Sequence, residues 1–309
     1  MRNIKTYYSI LRKKGLYTCL REFKKTVWPI WWTHNREAID LIQAERTSRY
    51  LWRKYGSLIA KPLNASQNTK PTRIIWLCWL QGLEQAPEIV KKCVASVKQH
   101  MPDYKLQILT SENIFDFVSL PEPILRKYQN GTITHTHFSD ILRTALLVQH
   151  GGIWLDATVL LTDAIPLQLA DQPLFMLQKS PLSSISHFAS SWFIVSHKGH
   201  PVMQRMLELL SEYWQKESVL RDYFLFHLFM YLLMSRNSQA KELAMKMSFI
   251  PNGDAHLMQF RLFDSFDAQQ WEQICTRSTI HKLTWKFNHN EPLDKSGTFY
   301  DHILHHMHI

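Results

Sequence analysis

The order of three segments most constrains the fold of this chain: RIIWLCWL at residues 73–80, APEIVKKCVASVKQH at 86–100 and YKLQILT at 104–110. The outer two are apolar and β-rich, while the middle one is amphipathic with helical spacing. A strand, a helix and a strand in this order begin a parallel α/β sheet. Ligands of such sheets bind beyond the carboxyl ends of the strands, so the loop after Trp79 is a candidate wall of a site.

The rest of the chain continues the alternation of strands and helices. Short strands are predicted at residues 174–178 and 192–196, followed by helices at 201–215, 218–234 and 239–247. The polar stretch NASQNTKPT, at residues 64–72, is typical of a linker. We therefore predict two units: a basic amphipathic extension and linker at residues 1–70, and an α/β domain at residues 71–309.

Positive charge is concentrated at the start of the chain. The formal net charge is +10, and residues 1–61 carry 14 Lys and Arg against 4 Asp and Glu, which accounts for all of it. Basic residues there alternate with aromatic ones, including Trp28, Trp31 and Trp32, as in helices that bind anionic membrane surfaces. A helical extension packed on the domain is an equally good interpretation. No nucleic-acid-binding motif accompanies the charge, so we expect no nucleic-acid partner.

Targeting signals and metal motifs are weak. The start has no continuous apolar core of a secretory signal, and the longest apolar run, at residues 223–234, is too short to span a bilayer. We therefore expect a cytoplasmic protein, peripheral at the inner face of the cell membrane if the basic segment binds lipid. The four cysteines lack the spacing of a zinc site or a disulfide framework.

The segment HFSDILRTALLVQHGGIWLDATVLLT, at residues 137–162, holds the candidate site. Ser139 is a plausible N-cap of a helix that carries Asp140 and Arg143 on one face and ends at Gly151. A strand at residues 153–161 would follow.

On that predicted strand, Asp156 and Thr158 share a face. A carboxylate on a buried strand is costly unless a cation or hydrogen-bond donors pair with it. Such a group suits either a metal diphosphate with sugar hydroxyls or a structural ion pair with Arg143.

The pattern SDILR, GGIWLDATVLLT closely resembles the capsular polysaccharide synthesis family, within the wider group of glycosyltransferases with a DXD sugar-binding region. The resemblance runs from about residue 73 to 301 through IIWLCWLQG, DYFLFH, IPN and HKLTWK, in the same order. It implies a GT-A-type, Rossmann-like nucleotide-sugar-binding domain with added helices. It also implies transfer of a sugar, as in retaining hexosyltransferases, from a nucleotide-diphosphate sugar to a lipid-linked or polysaccharide acceptor.

The resemblance also assigns binding residues. Asp140 and Arg143 would hydrogen-bond the donor sugar, Asp156 would lie at the ribose, the metal or both, and Trp79 would stack on the nucleotide base. An ordinary core tryptophan is the alternative for Trp79. Lys282 would neutralise the diphosphate.

For the metal, the resemblance implies Mn²⁺ or Mg²⁺ held by Asp156 and His281. Thr158 stands where a second Asp is usual, so we expect weak binding without nucleotide. A surface His281–Lys282 pair is the alternative.

Asp222 opens an apolar segment and is either a helix cap or a catalytic carboxylate near the reacting sugar. Asp156 is the other catalytic candidate. Two further functions stay open: a catalytically silent, membrane-associated scaffold of polysaccharide assembly, and a glycosyltransferase that modifies proteins.

Overall fold

The computed structural model describes residues 36–64, 70–178, 189–287 and 294–307, with a few isolated positions beyond them. Its strands are β1 Ile74–Cys78, β2 Lys105–Leu109, β3 Gly152–Asp156, β4 Val159–Leu161, β5 Leu174–Gln178, β6 Ala189–Ser196 and β7 Ile280–Lys282. Its α-helices are α1 Arg36–Ala60, α2 Glu88–His100, α3 Ile114–Phe117, α4 Glu122–Gln129, α5 His135–His150, α6 Leu167–Ala170, α7 Pro201–Lys216, α8 Leu225–Arg236, α9 Ser238–Met245, α10 Gly253–Arg261, α11 Ala268–Arg277 and α12 Phe299–Asp301. A π-helical turn, His302–His306, follows α12.

The central sheet has five strands among the described residues, in the order β2-β1-β3-β6-β5. Strands β2, β1 and β3 are parallel, and β6 and β5 continue the sheet antiparallel. This arrangement confirms the predicted α/β fold with a parallel-containing sheet. Strand β1 lies between β2 and β3, and its last residue, Cys78, is opposite Asp156, the last residue of β3. Two parallel strands therefore end together at one edge of the sheet.

The single strand predicted at residues 153–161 is wrong. Strand β3 ends at Asp156, Ala157 and Thr158 form a turn, and β4 leaves the central sheet to pair antiparallel with β7. An uninterrupted apolar pattern is compatible with one long strand or two short ones, because burial is the same in both. The turn places Asp156 at the sheet edge and brings β7, with Lys282, alongside it.

The Gly151–Gly152 turn fixes where β3 begins. Both glycines have positive φ, 72° and 102°. A Cβ on Gly151 would lie 2.6 Å from the Lys198 amide nitrogen, and one on Gly152 would lie 2.5 Å from the Ile74 carbonyl oxygen. Only glycine fits both the conformation and the close approach. The predicted helix stop at Gly151 is thus confirmed.

Two helices begin at other residues than the sequence predicts. The predicted N-cap Ser139 is wrong: α5 begins at His135 with Thr134 as N-cap, so Ser139 lies within the helix. Likewise, α8 begins at Leu225 and not at residue 218, because residues 217–224 form an irregular segment. The helices predicted at 201–215 and 239–247 are confirmed as α7 and α9 within two residues.

Helix α1 packs into the main core. Leu51, Tyr55 and Ile59 are at most 1% exposed, and they lie in one cluster with side chains of α7 and α8. The end of α1 is anchored by the Arg205 guanidinium, which donates to the carbonyls of Leu58, Lys61 and Pro62. Residues 36–60 thus share the core of the domain, while the division at residue 70 stays a prediction.

The basic residues before α1, with Trp28, Trp31 and Trp32, lie outside the described residues, so their predicted membrane contact stays a prediction. None of the helices in the described part of the chain is long and apolar enough to cross a bilayer.

Candidate active site

A cavity of about 810 Å³ opens at the sheet edge where β1 and β3 end. We name it the cationic cavity, because the side chains of Arg143, Lys282 and Lys286 line it. Asp156 is the only carboxylate among the described residues of the lining. Its principal lining residues are Trp79, Arg143, Asp156, Lys282, Trp285 and Lys286. The site therefore lies at the strand ends, as the sequence predicts.

Arg143 is the most firmly held cation of the cavity. Its Nε donates to the Ser139 carbonyl at 3.2 Å, one terminal nitrogen donates to Ser139 Oγ at 3.1 Å, and the other donates to the Ser191 carbonyl at 2.6 Å. The guanidinium also lies 5.0 Å from the centre of the Trp154 ring. Its position is fixed by contacts to α5, β3 and β6, so a ligand meets a preformed cation.

Asp156 stands between two cations. One carboxylate oxygen accepts a hydrogen bond from the Trp154 indole at 3.1 Å and lies 3.7 Å from an Arg143 nitrogen; the other lies 3.7 Å from Lys282 Nζ. Burial works to raise the pKa of Asp156, but Arg143, Lys282 and the indole bond together lower it. Asp156 is therefore ionised at neutral pH and retains 29% exposure of its side chain.

Asp140 lies behind Arg143 and does not line the cavity. Its carboxylate is 3.5 Å from Arg143 and 3.6 Å from the ring of His137, and all three side chains are buried. Burial raises the pKa of Asp140 to about 6 against the opposing effect of Arg143, and burial lowers the pKa of His137 to about 4. The contact predicted between Asp140 and a donor sugar is not tested by this arrangement, in which Asp140 supports Arg143.

His281 and Lys282 of β7 face opposite sides of the strand. Lys282 lines the cavity and donates to Thr158 Oγ1. His281 is fully buried, and its Nε2 is 3.0 Å from Thr162 Oγ1. Burial lowers the pKa of His281 to about 4. Neighbouring residues on a strand point to opposite sides, so Lys282 reaches Asp156 and His281 does not.

The outer wall of the cavity is aromatic. The rings of Trp79 and Trp285 meet edge to face with centroids 5.6 Å apart, and Lys286 Nζ lies 4.9 Å from the Trp285 ring centre. The buried Trp79 Nε1 has no hydrogen-bond partner within the described structure. A buried indole N–H normally has a partner, which leaves this donor available to a ligand.

The Asp222 side chain is turned toward α1. It accepts hydrogen bonds from Thr47 Oγ1 at 3.2 Å and from the Phe224 amide at 3.0 Å, and it lines neither cavity of this region. The catalytic role predicted for Asp222 stays a prediction. Its neighbour Tyr223, by contrast, projects into the site and is 62% exposed.

A second cavity, of about 600 Å³, adjoins the first and shares Asp156 and Tyr223 with it. We name it the aromatic cavity. Its principal lining residues are Trp192, Tyr223, Phe224, Asn252, Gln259 and Phe260, with His227 and His256. Among the described residues that line it, Asp156 is the only Asp, Glu, Lys or Arg. Two cavities of opposite character thus meet at one carboxylate.

The structure brings together Trp79, Arg143, Asp156, Thr158 and Lys282, as the sequence suggests. It adds residues that sequence reasoning missed, namely Trp285, Lys286 and Tyr223 in the motifs HKLTWK and DYFLFH, and Ser139 and Ser191 as the partners of Arg143. The first three lie within motifs that the sequence analysis had already quoted, so their position could have indicated them. For Ser191 no local signal exists, because it uses a backbone carbonyl.

The donor set is incomplete for a divalent cation held by protein alone. In the described ranges, no three His, Cys, Asp or Glu side chains converge. Thr158 Oγ1 is occupied by Lys282, and His281 points away. Asp156 can offer a hard oxygen ligand, so a cation there would need the remaining ligands from a diphosphate and water.

Comparison with known proteins decides the family. The family model described as capsular polysaccharide synthesis protein matches residues 25–303. The chain belongs to this family. Two curated relatives of this chain are O-glycosyltransferase braB of Annulohypoxylon truncatum, 23% identical over 198 residues, and Glycosyltransferase afumC of Aspergillus fumigatus (strain CBS 144.89 / FGSC A1163 / CEA10), 25% identical over 162 residues.

These alignments cover 57% and 46% of this chain but only 45% and 41% of the relatives, so the matched part spans less than half the length of either. A solved structure titled PaToxG Glycosyltransferase aligns over 78% of this chain and 98% of its own, with 14% identity and a TM-score of 0.41.

Proposed function

We propose that this protein is a glycosyltransferase that moves a sugar from a nucleoside-diphosphate sugar to a growing surface glycan. One observation carries the proposal: three basic side chains, Arg143, Lys282 and Lys286, line a preformed cavity at the carboxyl ends of parallel strands, beside two tryptophans. A diphosphate matches the cations, and a nucleoside base matches the aromatic wall. Membership of the family and glycosyltransferases among its relatives support the same conclusion.

In the proposed reaction, the bond between the sugar C1 and the diphosphate oxygen breaks, and its electron pair stays on the diphosphate. Arg143 and Lys282 stabilise that negative charge, because both are already positioned beside Asp156 before the ligand binds. The acceptor oxygen bonds to C1, and its proton passes to the departing diphosphate. This course retains the configuration at C1, an outcome suggested by the family resemblance and tested by NMR of the product.

Trp79 and Trp285 would hold the base, and the Trp79 indole N–H would donate to it or to the ribose. Asp156 would accept hydrogen bonds from sugar hydroxyls with the oxygen nearer Lys282. Asp140 would act one step back, since it lies behind Arg143 and keeps that guanidinium in place.

Metal dependence is a separate proposal. Asp156 would hold Mn²⁺ or Mg²⁺ together with the diphosphate, where the ion would supply further positive charge. Activity should then fall in EDTA and return with Mn²⁺ or Mg²⁺, with weak ion binding in the absence of nucleotide. Full activity in EDTA would leave charge neutralisation to Arg143, Lys282 and Lys286.

The direct test is a panel of nucleoside-diphosphate sugars, with release of the nucleoside diphosphate as the readout. Arg143→Lys should reduce the rate of nucleoside diphosphate release at least about 100-fold, because an ammonium cannot make the three hydrogen bonds of the planar guanidinium. Arg126→Lys is the matched control, since Arg126 is an exposed arginine of α4 paired with Glu122. Release from none of the sugars, by a folded protein, would favour the silent scaffold over the transferase.

A location at the inner membrane face is also proposed, from the basic aromatic segment before α1. Deleting residues 1–35 should release the protein from anionic liposomes, and binding by the full chain should weaken as salt rises. The deletion ends before α1 because Leu51, Tyr55 and Ile59 belong to the core. Unchanged liposome binding by the shortened protein would place the membrane contact elsewhere.

A further inference from the structure

The aromatic cavity opens onto the reacting end of the cationic cavity. Both are lined by Asp156 and Tyr223, so a ligand in one approaches a ligand in the other at that carboxylate. A transferase needs two ligands that meet where the bond is exchanged. The volume of about 600 Å³ is within the range of small-molecule sites.

The lining of the aromatic cavity favours an uncharged ligand. The charge of Asp156 is already balanced by Arg143 and Lys282, which lie on the other side of it. The described residues of the aromatic cavity include no lysine or arginine, so an anionic ligand would meet a carboxylate and no side chain of fixed positive charge. A cationic ligand would gain little from a carboxylate that is already paired.

Polar and aromatic groups both line the same cavity. Trp192, Phe224 and Phe260 offer ring surfaces, while Asn252 and Gln259 offer amide donors and acceptors. Asn252 Nδ2 is held by Ser190 Oγ at 2.9 Å, which fixes the orientation of that amide. A pyranose ring has an apolar face that packs on aromatic rings and several hydroxyls around its edge. A phenol has a single hydroxyl and would leave most of these polar groups without a partner.

We propose that the aromatic cavity is the acceptor site and that it binds an uncharged sugar ring whose reacting hydroxyl lies at the junction of Asp156 and Tyr223. The inference rests on the donor role proposed for the cationic cavity. Asp156 then accepts a hydrogen bond from that hydroxyl and orients it, because its carboxylate lines both cavities and is held between Arg143 and Lys282. The bond changes are those of the proposed transfer: the acceptor oxygen gains the sugar C1, and its proton leaves with the diphosphate.

The test uses the full chain and two readouts. Binding is followed by saturation-transfer NMR with methyl hexopyranosides, the corresponding methyl uronides and a phenol, 4-methylumbelliferone, each with and without UDP. Release of nucleoside diphosphate from nucleotide sugars is measured in parallel. We expect the neutral glycosides to receive saturation, and the uronides and the phenol to receive much less.

Two variants of the cavity and one control locate the binding. Phe260→Ala and Gln259→Ala should each strongly reduce glycoside saturation and raise the KM for the glycoside about tenfold, while hydrolysis of the nucleotide sugar in the absence of acceptor stays unchanged. Phe249→Ala is the control, because Phe249 is 62% exposed, comparable to Phe260 at 76%, and lines neither cavity.

Preferential binding of uronides or of the phenol would overturn the assignment of a neutral sugar. Glycoside binding that survives both variants would overturn the location. Glycoside binding lost in the variants, but with no nucleotide sugar hydrolysed by the parent, would uphold the sugar site and refute the donor role of the cationic cavity.

Discussion

The two cavities that meet at Asp156 differ in how their chemistry is built. Three charges of the cationic cavity, on Arg143, Asp156 and Lys282, come from α5, β3 and β7, and each is fixed by a hydrogen bond to the backbone or to a neighbouring side chain. The aromatic cavity carries ring surfaces and amides, two of them, Tyr223 and Phe260, on exposed positions. The charges of the first are therefore in place before a ligand binds, whereas the second offers ring surfaces and amides.

The largest effect is expected at the shared carboxylate. Asp156→Asn removes a charge that faces both cavities, so transfer should fall at least about 100-fold with losses toward donor and acceptor together. Asp103→Asn, at an exposed position after α2, is the control. Transfer kinetics with each substrate varied in turn are the measurement. A loss confined to one substrate would separate the cavities.

Removing a cation from the cationic cavity should weaken the reaction of the nucleotide sugar without affecting glycoside binding in the aromatic cavity. Lys282→Met keeps the length of the side chain and removes its charge, so release of nucleoside diphosphate should fall roughly 10- to 100-fold. Saturation of methyl hexopyranosides should be unchanged. Lys246→Met is the matched control, since Lys246 is exposed and paired with Glu242 on α9. Equal loss of glycoside binding would mean that the cavities act as one site.

Asp140, which is buried behind Arg143, should make the free energy of unfolding depend on pH. The pKa of Asp140 is raised from 3.8 to about 6, so the folded state binds its proton more tightly than the unfolded state does. The parent therefore loses free energy of unfolding as the pH rises from about 4 to about 6, and Asp140→Asn does not.

The stability of the variant relative to the parent should accordingly increase by about 1–3 kcal/mol between pH 4 and pH 7. Urea unfolding at each pH measures it, with His137 present in both proteins. If the difference in stability between variant and parent does not change with pH, or changes in the opposite direction, then Arg143 offsets the effect of burial on the pKa of Asp140.

The smallest effect is expected beside the aromatic cavity, where Asp222 bonds to Thr47. If this contact holds the segment that carries Tyr223, Asp222→Asn and Thr47→Val should each reduce transfer only a few-fold, and by similar amounts. Steady-state kinetics of the two single variants and the double variant measure the coupling. A loss of 100-fold or more in Asp222→Asn alone would establish the catalytic role predicted from the family resemblance.

The sequence alone determined the parts of this protein that depend on nearby residues. The strand, helix and strand at residues 73–110 were predictable because periodicity reports which faces are buried, and the stop at Gly151 was predictable because only glycine tolerates its conformation. The cost of a buried carboxylate left two interpretations of Asp156 open, a metal diphosphate or an ion pair with Arg143, and the structure places the two side chains 3.7 Å apart.

Only the tertiary structure decided which distant segments meet. The break after Asp156, the pairing of β4 with β7, and hence Lys282 at the site with His281 turned away, rest on strand partners more than 100 residues apart in the chain. Packing of α1 into the core and the Ser191 carbonyl on Arg143 are of the same kind. Local patterns fix which side of a segment is buried, but the free energy that selects its partner comes from contacts the pattern does not name.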